Sequence, residues 1–271
     1  MIIVLAEMIG GILGRSTALV ADAGHNLSDV LGLVLAGVAL WLSRRPAKGR
    51  RTYGYGKATV MAALTNGAVL LLVSGGLVVE AGQRLFHPQA IQPGLVMAVA
   101  AIGVVVNTAT ALMFIKSEGH DVNARGAFLH MAGDAAVSLG VIISAGVVAL
   151  TGWRWVDPVT TLLVVAVIVA GTWSLLRESL DLALDAAPAD ADLEGIRAFL
   201  LKGAGVTDVH DLHVWAMSTT ETALTAHLVR PKVDDEDQVR AGLAQGLEDR
   251  FGLRHATLQI ERERTEHCPE C

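Results

Sequence analysis

The sequence has few charged residues, few aromatic residues and almost no cysteine. Asp, Glu, Lys and Arg make up 18% of its 271 residues, whereas soluble domains average about 25%. Two cysteines are too few for a secreted domain stapled by disulfides, and a formal net charge of −6 excludes a basic nucleic-acid-binding protein. The 52% of hydrophobic residues and the mean hydropathy of +0.49 exclude a disordered chain. A membrane protein is the class that remains.

The charges divide the sequence into two parts. Residues 1–187 contain 12 basic and 11 acidic residues, whereas residues 188–271 contain 9 and 16. This division predicts a transmembrane domain over 1–187, a cytosolic metal-binding domain over 188–264 and a short tail over 265–271.

Runs without charged residues predict six membrane spans. A transmembrane helix needs about 20 apolar residues. Five runs reach that length or nearly so: Val20–Ser43 (apart from Asp22, His25 and Asp29), Ala58–Val79, Leu95–Ile115, Ala135–Trp153 and Pro158–Leu176. The first run, Met1–Leu13, covers only about 20 Å of a hydrocarbon core of about 30 Å. We therefore expect it to be the remainder of a longer first helix.

Basic residues predict the orientation in the membrane. Five of them lie within Arg44–Arg51, and three more flank loops on the same side, Lys116, Arg125 and Arg177. The opposite side has three in all, Arg15, Arg84 and Arg154. Because loops rich in Lys and Arg stay in the cytoplasm, both termini are predicted to be cytoplasmic.

Two spans carry the same pair of ionisable residues at the same spacing. His25 and Asp29 lie four residues apart in the second span, as do His130 and Asp134 in the fifth. That spacing places each pair on one helix face. Two imidazoles and two carboxylates can complete a tetrahedral shell of the kind that favours Zn²⁺. The alternative is two unrelated hydrogen-bonded pairs between helices.

Other polar residues of the spans have simpler interpretations. Asp22 is interpreted as a cap at the start of the second span, with a carboxylate at the mouth of an ion pathway as the alternative. Asp157 and Pro158 predict an N-cap and first turn for the sixth span. For Glu7, Asn66 and Asn107 both a supporting role beside the site and a packing role stay open, and none of the three is predicted to be a site residue.

Segments Leu19–Asp29 and Val209–Trp215 resemble the cation diffusion facilitator family, and the two His–Asp pairs resemble its zinc-transporting branch. The resemblance implies a homodimer that exports Zn²⁺ from the cytoplasm by alternating access, in exchange for protons. Carried over by position, the transport site is His25, Asp29, His130 and Asp134. Many relatives have a histidine-rich loop after the fourth span, but Lys116–Asp121 has one histidine, so no metal-gathering role is expected for this loop.

The C-terminal part predicts a small α+β sandwich of order αββαβ. Its predicted elements are a helix over Asp192–Lys202, strands over Thr207–Ala216 and Glu221–Val229, a helix over Asp237–Phe251 and a strand over Ala256–Glu261. This order resembles the family's ferredoxin-like cytosolic domain. The fold class is thus an α-helical membrane protein, a six-span bundle followed by that domain.

The resemblance also implies a second, regulatory zinc site in this domain, with His210, His227, His255 and Glu261 as ligands. His213 is given a structural role, since its odd separation from His210 puts the two on opposite strand faces. Ordinary surface histidines are the alternative for the whole set. In the tail, His267, Cys268 and Cys271 predict a metal-binding CxxC group, with a disordered tail as the alternative. The acidic run Asp234–Asp237 is interpreted as a solvated helix cap.

The residues weigh against three other functions. An exporter of Mn²⁺ or Fe²⁺ would favour oxygen ligands over imidazoles, whereas Cd²⁺ and Co²⁺ accept a similar set. A membrane zinc sensor without transport remains an alternative, although it leaves the intramembrane carboxylates unexplained. An intramembrane metalloprotease is rejected because the sequence has no HExxH motif, so no enzymatic activity is predicted. The simple loops favour a bacterial plasma membrane, and the protein is predicted to contact membrane lipid.

Overall fold

The computed structural model describes residues 1–115, 122–231 and 234–264, in which six helices precede a small sandwich. The helices are α1 (Ile2–Gly14), α2 (Thr17–Ser43), α3 (Ala58–Phe86), α4 (Pro93–Ile115), α5 (Val122–Thr151) and α6 (Val156–Ala183). Five of them, α2 to α6, are long and apolar enough to cross a membrane, whereas α1 has 13 residues. All six predicted spans are therefore helices, and α1 is the short one, as the sequence predicted.

By their internal contacts the residues form two compact units. The first comprises residues 1–35 and 65–175, and the second comprises 36–64 and 176–271.

Small residues allow close helix packing in the first unit. A Cβ atom on Gly10 or Gly14 of α1 would lie 2.8 Å from a methyl group of Val99 or Val96 of α4. Ala18, Leu19, Ala100 and Val141 continue this contact between α2, α4 and α5 and are fully or almost fully buried. Glycine and alanine let the backbones approach closely, which is how helices associate in lipid.

Asp157 caps α2 and not its own helix, so the predicted N-cap role was wrong. It is the second residue of α6, and its carboxylate accepts hydrogen bonds from the Ser16 hydroxyl and from the Thr17 backbone N–H and hydroxyl, the last two at 2.9 Å. Asp157 is 2% exposed. A buried carboxylate thus satisfies the free N–H at the start of α2 and ties α2 to α6.

The second unit contains the predicted αββαβ sandwich. Its elements are α7 (Leu193–Leu201), β1 (Asp208–Ala216), β2 (Thr222–Val229), α8 (Glu236–Phe251) and β3 (His255–Glu261). The sheet order is β1-β2-β3, with β1 antiparallel and β3 parallel to β2. Asp235 occupies the N-cap position of α8 but makes no side-chain cap hydrogen bond, so the acidic run lies where the cap was predicted without acting as one.

Both helices of the sandwich pack on one face of the sheet. Leu200 of α7 and Leu247 of α8 are fully buried against Leu224 and Leu228 of β2. Because side chains alternate along a strand, His227 of β2 points to the opposite face, which carries neither α7 nor α8 and is here called the helix-free face. That face holds the second candidate site.

Candidate metal centres

The first candidate centre joins α2 to α5 through the two predicted His–Asp pairs. The His25 Nε2 atom lies 3.7 Å from the Asp29 Oδ2 atom and 3.5 Å from the Asp134 Oδ1 atom. The His130 Nε2 atom lies 3.4 Å from Asp29 Oδ2 and 3.8 Å from Asp134 Oδ2. Each imidazole therefore faces both carboxylates, and imidazoles and carboxylates alternate around a common centre.

These spacings fit one tetrahedral ion. Ligand atoms about 2.0–2.1 Å from Zn²⁺ lie about 3.3–3.5 Å from one another in a tetrahedron. The ligand atoms of His25, Asp29 and Asp134 all lie within 4.8 Å of one another, and His130 adjoins them through both carboxylates. The structure thus brings together all four residues that the sequence predicted.

The charge of this centre also suits a divalent cation. Among the described residues, neither Lys nor Arg forms an ion pair with Asp29 or Asp134. Asp134 is 4% exposed, and the side chain of Asp29 is 34% exposed. Two uncompensated carboxylates at membrane depth are costly and mark an ion pathway by default.

The first centre has polar neighbours to which the sequence assigned no site role. Asn26 Nδ2 donates to Glu7 Oε2 at 2.9 Å, and the Ser138 hydroxyl donates to Asp22 Oδ2 at 2.6 Å. Asp22 lies in the second turn of α2, so its interpretation as a helix-start cap was wrong. The complete burial of Glu7 could not be predicted from the sequence, because a single acidic residue in a short apolar run does not indicate which residue it hydrogen-bonds.

Asn66 and Asn107 have different surroundings. Asn66 Oδ1 accepts a 3.4 Å hydrogen bond from Ser28 of α2, and its side chain packs against Gly32. Asn107 Nδ2 is buried and has no hydrogen-bond partner in the described part of the chain. Neither residue contributes to the four-residue centre.

The second candidate centre lies on the helix-free face of the sandwich. His227 Nδ1 lies 2.9 Å from Glu261 Oε1, and His210 Nε2 lies 3.5 Å from Glu261 Oε2. The two rings lie 5.3 Å apart at 77°. Ligand atoms of all three residues fall within 4.8 Å of one another, so three of the four predicted cytosolic ligands converge.

His255, the fourth predicted ligand, is not part of this cluster. It begins β3 and pairs with Ala223, whereas Glu261 ends β3 and pairs with Val229. Six residues of strand separate His255 from Glu261 by about 20 Å. Within one chain it therefore lies at the other end of the sheet from the three converging residues.

A β-bulge overturns the argument that placed His213 on the opposite face from His210. His210 pairs with His227 and His213 pairs with Thr225, so three steps on β1 match two on β2. Asp211 takes up the extra residue with φ of +50°. His213 consequently shares the face of His210, and its Nε2 lies 2.8 Å from Asp211 Oδ1. Strict alternation fails where a bulge adds a residue.

Two further predictions fall on residues outside the described ranges. These are the CxxC group of His267, Cys268 and Cys271, and the loop Lys116–Asp121.

Comparison with known proteins covers nearly the whole chain. Residues 1–182 match the model of the cation efflux transmembrane domain, and residues 188–263 match that of the cation efflux protein cytoplasmic domain. The chain is also 35% identical to the metal cation efflux system protein CzcD of Cupriavidus metallidurans, over 95% of this chain and 82% of that protein.

The names of two other relatives state the metals that those proteins transport. The zinc transporter ZitB of Escherichia coli is 34% identical over 98% of this chain and 85% of its own length. The cadmium, cobalt and zinc/H(+)-K(+) antiporter of Bacillus subtilis is 30% identical over 97% and 86%. Among solved structures, the metal-bound C-terminal domain of the CzcD transporter is 38% identical and covers 26% of this chain and 97% of that one, with a TM-score of 0.25.

Proposed function

Because this chain belongs to the cation efflux family, we propose that it exports Zn²⁺ from the cytoplasm, in exchange for protons, through the centre formed by His25, Asp29, His130 and Asp134. The observation that carries the proposal is the alternating arrangement of two imidazoles and two carboxylates, with four N···O distances between 3.4 and 3.8 Å. It lies within helices long and apolar enough to cross a membrane. An ion held there by two spans can be released to either side when the spans move relative to each other.

The donor set supports Zn²⁺ as cargo. Imidazole nitrogen suits Zn²⁺ and related ions, whereas Mn²⁺ favours oxygen-rich shells. Cd²⁺ and Co²⁺ accept the same donors, in agreement with the name of the relative in Bacillus subtilis, which includes cadmium, cobalt and zinc. We expect Zn²⁺, Cd²⁺ and Co²⁺ to compete for one site.

Protons are the natural counter-ion for this ligand set. Imidazole must be neutral to bind a metal, so protonation of His25 or His130 competes with Zn²⁺. When the centre faces the cytoplasm it binds Zn²⁺, and when it faces the other side, protons displace the ion. The proposed role of the chain is transport, in which no covalent bond of a substrate is made or broken.

The sequence and the family support a proposed orientation and assembly. The basic loop Arg44–Arg51 supports cytoplasmic termini in a bacterial plasma membrane, with 188–264 as the cytosolic domain and 265–271 as a tail. On the helix-free face of the sandwich, His210, His227 and Glu261 would bind a regulatory Zn²⁺. A second copy of the chain would cover that face in a homodimer and bring a further ligand, a role open to His255 or to the tail residues His267, Cys268 and Cys271.

Zinc uptake into inside-out vesicles tests the proposed transport. The cytoplasmic face is then outside, so an acidic lumen drives Zn²⁺ inward as protons leave. Uptake should rise several-fold with the proton gradient and fall to background when a protonophore removes it. Zinc binding without gradient-dependent uptake would favour a sensor and contradict the proposal.

Substitution of His227 should separate regulation from transport. His227→Ala removes one of the two imidazoles that face Glu261, so half-maximal activation of transport should need about tenfold more Zn²⁺. The maximal rate should stay within about twofold, because the intramembrane centre is intact. Initial rates across a zinc titration measure both quantities.

His87→Ala is the matched control for this variant, because His87 is an exposed histidine in the loop after α3. It should leave both quantities unchanged. Complete loss of flux in His227→Ala would contradict the separation of the two sites.

A further inference from the structure

A pair of completely buried carboxyl groups lies beside the transport centre but contributes no ligand to it. Glu7 of α1 and Asp22 of α2, here called the carboxyl pair, are both 0% exposed. One oxygen of each has a donor, Asn26 Nδ2 at 2.9 Å for Glu7 and the Ser138 hydroxyl at 2.6 Å for Asp22. The other two oxygens, Glu7 Oε1 and Asp22 Oδ1, are buried without a hydrogen-bond partner in the described ranges.

Gly103 of α4 and Ser138 of α5 connect the two carboxyl groups. A Cβ atom on Gly103 would lie 2.5 Å from Glu7 Oε1 and 3.2 Å from the Ser138 hydroxyl oxygen. The absence of a side chain at Gly103 thus makes room for the unpartnered oxygen of Glu7, beside the hydroxyl that Asp22 holds. The pair occupies one continuous polar site formed by four helices.

Among the residues whose side chains the structure describes, the helices that form this site contain neither Lys nor Arg. Helices α1, α2 and α4 contain neither Lys nor Arg, and in α5 the single one, Arg125, precedes Ser138 by 13 residues. Two groups of the transport centre lie close by along these helices: His25 follows Asp22 by three residues on α2, and Asp134 precedes Ser138 by four residues on α5. Two buried carboxylates without a compensating charge would have a large desolvation cost. A protonated carboxylic acid is neutral and avoids that cost, and its proton can sit on the oxygen that has no hydrogen-bond partner.

The position of the pair links it to both metal-binding helices. Asn26, the donor to Glu7, directly follows His25, and Ser138, the donor to Asp22, lies one turn beyond Asp134. Zn²⁺ in the neighbouring centre would stabilise ionised carboxylates by Coulomb attraction at low dielectric. Its departure would remove that attraction.

We propose that Glu7 and Asp22 form a proton-binding site, distinct from the metal ligands, that exchanges a proton as Zn²⁺ binds and leaves. When Zn²⁺ enters the centre, one carboxylic acid of the pair loses H⁺ to water and becomes a carboxylate. When Zn²⁺ leaves, the carboxylate takes up H⁺ again. The proposal rests on the transport function proposed above and adds a second location for the counter-ion.

The number of protons released per bound Zn²⁺ tests the proposal. It is measured on the full chain with a pH indicator in weakly buffered detergent solution, in a His227→Ala background that weakens the cytosolic centre. Glu7→Gln and Asp22→Asn keep the size and the hydrogen-bonding capacity of each side chain. We expect at least one of them to release about one proton fewer per Zn²⁺, with the zinc Kd at alkaline pH changed by less than about threefold.

Glu80→Gln is the matched control, because Glu80 is a half-exposed residue of α3 paired with Arg84. It should leave both the proton count and the zinc Kd unchanged. A proton count unchanged in both Glu7→Gln and Asp22→Asn would overturn the proposal in favour of a packing role. A zinc Kd raised more than tenfold at alkaline pH would overturn it in favour of a metal-supporting role.

A monovalent cation is a second occupant that carboxyl oxygens could bind. Repeating the measurement with K⁺ replaced by choline distinguishes it from a proton, since the proton count should not change. A count that depends on K⁺ and loses that dependence in Asp22→Asn would overturn the proton assignment. Failure of the proposed transport function would give a different result, because the wild-type protein would then bind Zn²⁺ but show no gradient-driven uptake.

Discussion

Asp134→Asn is expected to lower the initial rate of zinc uptake at least about 100-fold. Asp134 faces both His25 and His130 and is the most buried of the four ligands, with 4% of its surface exposed. The amide keeps the shape of the side chain but removes one of two negative charges and offers a weaker ligand to Zn²⁺. A loss of about 3 kcal/mol of binding or barrier free energy corresponds to that factor. Uptake into proteoliposomes at matched protein content measures it.

The control is Asp181→Asn, which makes the same chemical change at an exposed position of α6. It should keep at least half of the wild-type rate. An Asp134→Asn rate within threefold of wild type would show that this carboxylate does not hold the transported ion.

Asp157→Ala is expected to have the largest effect on stability. The carboxylate accepts three hydrogen bonds at the start of α2, and its loss leaves the Thr17 N–H and two hydroxyls without their acceptor. Interhelical hydrogen bonds in membranes contribute about 0.6 kcal/mol each, and a lost helix cap about 1 kcal/mol. We expect a loss of about 2–3 kcal/mol, which shifts the thermal midpoint by about 5–10 °C. Thermal unfolding in detergent measures the shift.

Asp157→Asn provides the graded comparison for this variant. Its amide oxygen can still accept from the Thr17 N–H, so it should lose less than half as much stability as the alanine variant. Zinc affinity should be unchanged in both, because Asp157 does not contact the four metal ligands. A thermal midpoint within 1 °C of wild type in Asp157→Ala would contradict the capping role.

Local patterns were sufficient to predict the helices and the four residues that converge in the first candidate centre. Uncharged runs of about 20 residues determine where spans lie, and a spacing of four places His25 beside Asp29 and His130 beside Asp134 on their helix faces. The meeting of α2 with α5 needed one further inference, that two similar pairs serve one ion. The αββαβ order of the C-terminal domain followed in the same way from local periodicity.

Features that depend on contacts distant in sequence could not be predicted. Asp157 precedes proline as an N-cap would, but its carboxylate accepts hydrogen bonds from Ser16 and Thr17, about 140 residues away in the sequence. The side of the sheet on which His213 lies depends on a bulge at Asp211, which strict alternation ignores. His255 was predicted to be a ligand together with His210 and His227, because the sequence does not reveal the strand register that places it at the other end of β3.

X-ray absorption at the zinc edge tests the transport centre most directly. The sample is the full chain with one Zn²⁺ bound, carrying His227→Ala, Cys268→Ser and Cys271→Ser so that the other candidate sites are weakened. We expect four nitrogen or oxygen ligands at about 2.0–2.1 Å, with the multiple scattering of two imidazoles, and loss of the bound ion in Asp134→Asn. A six-ligand shell of oxygens without imidazole scattering, or a shell unchanged in Asp134→Asn, would contradict the proposed centre.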